Sequence, residues 1–193
     1  MIYELENTDG FAYNLGRVKG KNLPERFAKV INFGYDLAIK QNYDYVIIVG
    51  ADVMLPNVGV TYMLEAFEDI PEAGMICLHC CYRSPELGPF PMMVPLFEKG
   101  KVESTEYFAH KYYEVMAGNG AMMVPRKVFS KLPWRETGYD KPTHLGRKWG
   151  GDYQYCIDVR EKLGLKVIIR TDIETGHMEE DGKTMCHSGM EVD

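Results

Sequence analysis

The run YVIIV, Tyr45 to Val49, leads through Gly50 and Ala51 into a carboxylate, Asp52. The run is too short for a helix and rich in β-branched residues, so it reads as a strand. In open α/β sheets ligands gather beyond the carboxyl ends of the strands, and Asp52 stands just past such an end. Gly50 and Ala51 let a ligand come close to the backbone. A carboxylate there can hold a hard divalent cation, which in turn neutralises a diphosphate. The competing reading of the same residue is a turn or a helix cap.

Three other groups of residues offer chemistry. Asp152 follows Gly150 and Gly151 and opens a helical stretch. Aspartate is favoured at helix starts as a cap, and the same location favours the ionised carboxylate, so capping and accepting a proton are compatible. The loop THLGRKWGG holds Arg147 and Lys148, able to screen a diphosphate, while Trp134, Tyr139 and Trp149 could stack on a sugar ring or pack under the loop. CLHCC presents Cys77, His79, Cys80 and Cys81 as zinc-like ligands, with Cys186 and His187 as a second pair. Zinc sites take pairs two to four residues apart, but strand alternation is expected to scatter these side chains. Buried strand thiols are the better reading.

Strands and helices alternate along the chain, the pattern of an α/β architecture. NLPERFAKVINFGYDLAIKQ reads as a helix capped by Asn22, with Pro24 and Glu25 in its first turn. Phe27, Val30, Ile31, Gly34, Leu37 and Ala38 fall on one face. YVIIV has no polar alternation, which predicts cover on both faces and a place at the centre of a parallel sheet. A helix after Asn57 carries Val60, Met63, Leu64 and Phe67, and GMICLHCCY reads as a strand. Prolines punctuate Tyr82 to Thr105, where EKGK suggests a hairpin. MAGNGAMMV reads as a glycine-broken strand and Pro125 opens a short helix. In the helix GGDYQYCIDVREKLG, Tyr153, Cys156, Ile157 and Arg160 share a side and Gly164 suits the end. KVIIR is the last strand, with TDIETGHMEEDGKTMCH as a tail.

The 193 residues carry a net charge of −6 and are 46% hydrophobic, enough for one well-buried domain. That balance disfavours nucleic acid as a partner, which needs a basic surface. Five cysteines, an odd number in apolar stretches, read as reduced thiols and point to a cytoplasmic location. The start MIYELENTDG has no secretory pattern, and no run reaches the roughly 20 apolar residues of a spanning helix. An amphipathic surface leaves room for peripheral membrane contact.

YDYVIIVGADVMLPN, GNGAMMVPRKVF, GGDYQYCIDVREKLGLKVIIR and ETGH occur in this order. Together they resemble glycosyltransferases of the GT-A fold, most closely the inverting family 2 type, over roughly residues 22–177. The resemblance implies a single-domain α/β, Rossmann-like fold. Its central, mostly parallel sheet is flanked by helices, with a small antiparallel hairpin on the acceptor side. Residues 1–81 would form the nucleotide and metal half, and 82–193 the acceptor and catalytic-base half.

By the same resemblance Asp52 matches the last acid of an Asp-x-Asp motif and would hold Mn²⁺ or Mg²⁺, with Gly50 in place of the first acid. Asp152 matches the catalytic base, with Gly151 in place of the first acid of that pair. His177 matches a late histidine that joins the metal or the diphosphate. Gly50, Ala51, Asn119, Gly120, Arg147 and Lys148 would line the donor site; Trp134, Trp149 and Gly151 would line the acceptor site. ENTDG resembles the family's acidic loop after its second strand, so that either MIYEL supplies a shortened nucleotide-binding part or the chain begins late. The implied partners are a UDP- or GDP-linked sugar and a glycan, lipid or protein acceptor. The competing readings are a non-catalytic nucleotide-sugar or glycan-binding or structural protein that retains the fold, and a sugar-phosphate nucleotidyltransferase. The latter calls for a glycine- and arginine-rich phosphate loop near the start, which the sequence lacks.

Overall fold

Apolar strands without polar alternation need cover on both faces, and helices supply it here. The computed structural model describes residues 2–4, 11–13, 23–50, 52–84, 88–91, 93–95, 110–135, 151–178 and 185–186. The elements are β1 (Ile2–Glu4), β2 (Phe11–Tyr13), α1 (Leu23–Lys40), β3 (Tyr45–Val49), β4 (Val53–Met54), α2 (Gly59–Asp69) and β5 (Ala73–Ser84). They continue with β6 (Gly88–Pro91), β7 (Met93–Pro95), β8 (Tyr112–Gly118), β9 (Ala121–Pro125), α3 (Arg126–Phe129), α4 (Gly151–Leu163), β10 (Lys166–Met178) and β11 (Met185–Cys186). No helix among the described residues is long and apolar enough to cross a membrane.

The main sheet runs β3–β9–β5–β10–β8–β7, with β4 and β11 added to β10 and β6 added to β5. Among the described residues β5 and β10 are its one parallel pair; β3/β9, β9/β5, β10/β8 and β8/β7 are antiparallel. The sheet is α/β but mixed, which corrects the mostly parallel expectation. β9 inserts between β3 and β5, so two strands that point the same way are not hydrogen-bonded neighbours. β3 also lies at the end of this order rather than at its centre. Both its faces still pack, Val46 and Ile48 on one core cluster and Ile47 on the other. β5 and β6 form an antiparallel hairpin; the EKGK turn lies outside the described residues. β1 and β2 pair in a separate ribbon, and the ENTDG segment between them is outside as well.

Alternation along β5, β9 and β10 sends Met75, Cys77, Met122, Val124, Val167 and Ile169 to a core shared with α1, α3 and α4. Ile76, Leu78, Met123 and Ile168 meet α2 on the opposite face. Helix α1 buries Ala28, Ile31, Tyr35 and Ala38, while Phe27 is 53% exposed. The buried stripe is therefore rotated by one position from the expected face. Tyr35 draws it there, its ring 5.5 Å from that of Phe129. Helix α4 buries Asp158 as well as its apolar residues. Arg135 Nε donates to Asp158 Oδ2 at 2.6 Å and Lys162 Nζ lies 3.1 Å from the same oxygen, so the buried charge is paired. Gly164 ends α4 at φ +64° as expected.

Two further expectations change. MAGNGAMMV is two strands, β8 and β9, separated in the sheet by β5 and β10. The last strand continues past KVIIR to Met178, because β4 and β11 extend the sheet along it. At the bend between β8 and β9, Gly120 has φ +92°, and its N–H donates to Asn119 Oδ1 at 2.7 Å. A Cβ on Gly120 would lie 2.6 Å from Cys80 Cβ.

Gly120→Ala is therefore expected to lose on the order of 2–4 kcal/mol in equilibrium denaturation, from a forbidden backbone angle and overpacking together. Gly34, within α1, has open space where a Cβ would stand, with nothing within 4 Å of it. Gly34→Ala is expected to gain about 0.5–1 kcal/mol from helix propensity. Equal effects of the two changes would contradict the packing described.

Candidate functional site

The carboxyl end of β3 is tied to the far end of β10. β4 pairs antiparallel with it, Val53 opposite His177 and Met54 opposite Gly176, and the Met178 N–H donates to the Asp52 carbonyl at 2.7 Å. The two side chains that flank this ladder meet: His177 Nε2 lies 3.4 Å from Asp52 Oδ2. Asp52 is 59% exposed and His177 14%, so the carboxylate faces water while the imidazole is anchored. A Cβ on Gly50 would lie 2.7 Å from Asp52 Oδ1. The Asp52 carboxylate thus folds back over the position where the family pattern has its first acid.

Neighbouring strands bring the other donor-side positions to the same end of the sheet. Val49 pairs with Ala121 at the start of β9, which follows Asn119 and Gly120 directly. Gly120 abuts Cys80 and Thr175, and those two are partners across the β5–β10 ladder. Thr175 leads along β10 to His177. An open depression bordered by Asp44, Tyr45, Pro125 and Arg126 lies at the opposite end, where β3 begins, and takes no part in this arrangement.

Helix α4 contributes Asp152 from its first turn. Its carboxyl end passes through Gly164 into the start of β10, so its amino end lies toward the ends of β5 and β10. Asp152 is half-buried. Burial pushes its carboxyl pKa above the ordinary aspartate range, and the N–H groups of Tyr153 and of Asp152 itself oppose that shift without cancelling it. Burial also raises the thiol of Cys77, with smaller contributions from Cys156 and Asp152. Cys77 and Cys80 both act on Tyr153, the next residue of the helix. Helix α4 packs on β5, β8 and β10, the sheet whose β10 carries His177 at its far end.

Two acceptor-side expectations need correction. Trp134 is 4% exposed and stacks on Tyr155 with ring centroids 4.6 Å apart, leaving no free face for a sugar. A Cβ on Gly151 would come within 2.9 Å of Trp134 Nε1. Gly151 makes room for the indole rather than for a substrate, and the indole in turn supports the start of α4. Ala51, Tyr139, Arg147, Lys148, Trp149 and His187 lie outside the described residues.

The expected scattering of CLHCC is also corrected. Alternation separates Cys80 from its neighbours but leaves Cys77, His79 and Cys81 on one face of β5. His79 and Cys81 meet Glu174 of β10 there, their donor atoms all within 4.8 Å of one another. The His-x-Cys spacing is the signal available in the sequence; Glu174 is hidden, since its place depends on an irregularity in β10. Cys77, Cys80, Cys81 and Cys156 are buried free thiols, as expected.

No protein-family model matches this chain, and no curated protein matches it.

The Asp152 carboxyl also sets a stability test. Its raised pKa means that the unfolded chain gives up this proton at lower pH than the folded chain does. Ionising Asp152 therefore costs stability as pH rises through and above the ordinary aspartate range, and costs nothing below it. Asn keeps a side-chain oxygen that can accept from the Tyr153 N–H. Asp152→Asn is expected to raise the melting temperature at pH 7 and to match the parent below about pH 4. A variant less stable than the parent at pH 7 would contradict the desolvated carboxyl.

Proposed function

We propose that the chain is a metal-assisted glycosyltransferase that moves a sugar from a UDP- or GDP-linked donor to an acceptor hydroxyl with inversion. The observation that carries the reading is the Asp52–His177 pair, 3.4 Å apart at the carboxyl end of β3. Support comes from two of the motifs behind the family resemblance, the end of β3 and the end of β10, which are far apart in sequence and meet here. The strand that precedes Asp52 lies beside the glycine-preceded strand β9.

A carboxylate oxygen and an imidazole nitrogen suit Mn²⁺ better than Mg²⁺, which prefers oxygen alone. Asp52 and His177 would hold the cation, leaving its remaining positions to diphosphate oxygens and water. The cation supplies charge stabilisation for the departing diphosphate. Asp152 takes the proton of the acceptor hydroxyl as the hydroxyl oxygen bonds to the anomeric carbon and the bond from that carbon to the diphosphate breaks. Its raised pKa makes it a stronger base than an ordinary aspartate. The acceptor, a glycan, lipid or protein hydroxyl, would approach from the α4 side.

Titration calorimetry with UDP- and GDP-sugars, with and without Mn²⁺, tests the reading. Donor binding that depends on Mn²⁺ is expected, lost in Asp52→Ala and weakened in His177→Ala. Asp152→Asn is expected to keep donor binding and to lose transfer by about 10²–10⁴-fold, the usual contribution of a general base. Metal-independent binding, or full transfer by the Asn variant, would defeat it. Gly50 favours a second reading, since Asp52 alone fills the space of a paired acid: a protein that binds the nucleotide sugar without turning it over. Mn²⁺-dependent binding with no transfer to any acceptor hydroxyl or to water would select that one.

A further inference from the structure

We propose that His79, Cys81 and Glu174 form a second metal site, separate from the Asp52–His177 pair, that takes a borderline-soft divalent cation, with Zn²⁺ as the best fit. Cys81 Sγ lies 3.3 Å from His79 Nε2, and Glu174 Oε1 lies 3.9 Å from the same nitrogen. Tetrahedral zinc, with Zn–S about 2.3 Å and Zn–N or Zn–O about 2.0–2.1 Å, has donor–donor edges of roughly 3.3–3.6 Å. The two edges from His79 Nε2, 3.3 and 3.9 Å, lie within a few tenths of an ångström of that range, and all three donor atoms lie within 4.8 Å of one another, so side-chain movements of about an ångström complete the set. Three protein donors leave the fourth position to water or to a ligand.

The backbone builds this cluster. His79 and Cys81 are two residues apart on β5 and so share a face. If the β10 register continued regularly from Arg170 opposite Leu78, Thr171 would stand opposite His79; the observed partner is Glu174. Irregularities of this kind re-aim side chains, and this one delivers a carboxylate to an imidazole and a thiol.

A nucleophilic triad fits the cluster less well, because it needs its acid and its thiol on opposite ring nitrogens of the histidine. Both partners here approach Nε2. Neutral imidazole is the form that ligates metals. His79 is fully buried, Cys81 is 1% exposed and the Glu174 side chain 11%. Cys81 would give its thiol proton to solvent as the metal–sulfur bond forms. The bound ion would clamp β5 to β10 where the ladder between them is irregular.

Cobalt titration of the chelator-treated full chain tests this site without reference to transferase activity. Co²⁺ is expected to bind with intense visible bands of a tetrahedral site and a near-ultraviolet thiolate charge-transfer band, both bleached by Zn²⁺. Cys81→Ser should remove the thiolate band, and Glu174→Gln should weaken binding by roughly 100-fold or more. Asp52→Ala should leave the band intact, since that residue belongs to the other pair. Circular dichroism checks that each variant is folded; should Cys81→Ser not fold, Glu174→Gln decides. Absence of a thiolate band in the folded parent, its survival in folded Cys81→Ser, or unchanged affinity in Glu174→Gln would overturn the assignment.

Discussion

The antiparallel pairing of β4 with the end of β10 is the constraint on which the candidate site depends. A few backbone hydrogen bonds, each worth about 0.5–1.5 kcal/mol net, hold Val53 opposite His177 and the Asp52 carbonyl against the Met178 N–H. They bring together two side chains that stand far apart in the sequence. Without that ladder Asp52 would be a turn residue and His177 a histidine in a tail. With it, a carboxylate oxygen and an imidazole nitrogen face each other beside the glycines at positions 50 and 120.

Asp52 and Asp152 live in contrasting surroundings. Asp52 is mostly exposed and can exchange water for another partner at little cost. Asp152 has lost much of its water, so its proton is held more tightly. The cost of the buried carboxyl falls on the fold and is offset by the surrounding core, where Trp134 and Tyr155 fix the start of α4.

Much of the layout is legible in the sequence because burial imposes periodicity. The strands at Tyr45, Ala73 and Lys166 and the helices at Leu23, Gly59 and Gly151 are visible as apolar runs and stripes. Strand direction and neighbour order are not visible: nothing in GNGAMMV says that it enters between β3 and β5 against their direction. The reach of β10 to Met178 is hidden for a similar reason. The segment TDIE, residues 171–174, reads locally as polar tail, and only pairing with β4 and β11 makes the stretch around it strand. Trp134 misleads because an aromatic residue before a loop looks the same whether its ring is stacked on Tyr155 or open to a sugar. Glu174 cannot be connected with His79 from spacing at all, since their juxtaposition rests on a three-dimensional irregularity.

The most direct test of the metal pair is anomalous diffraction from a crystal soaked with Mn²⁺ and a nucleoside diphosphate. A manganese peak is predicted between Asp52 Oδ2 and His177 Nε2, within about 2.0–2.4 Å of each, with diphosphate oxygens completing the shell on the Gly120 side. A peak elsewhere, or a nucleotide bound away from the ends of β3 and β5, would contradict it.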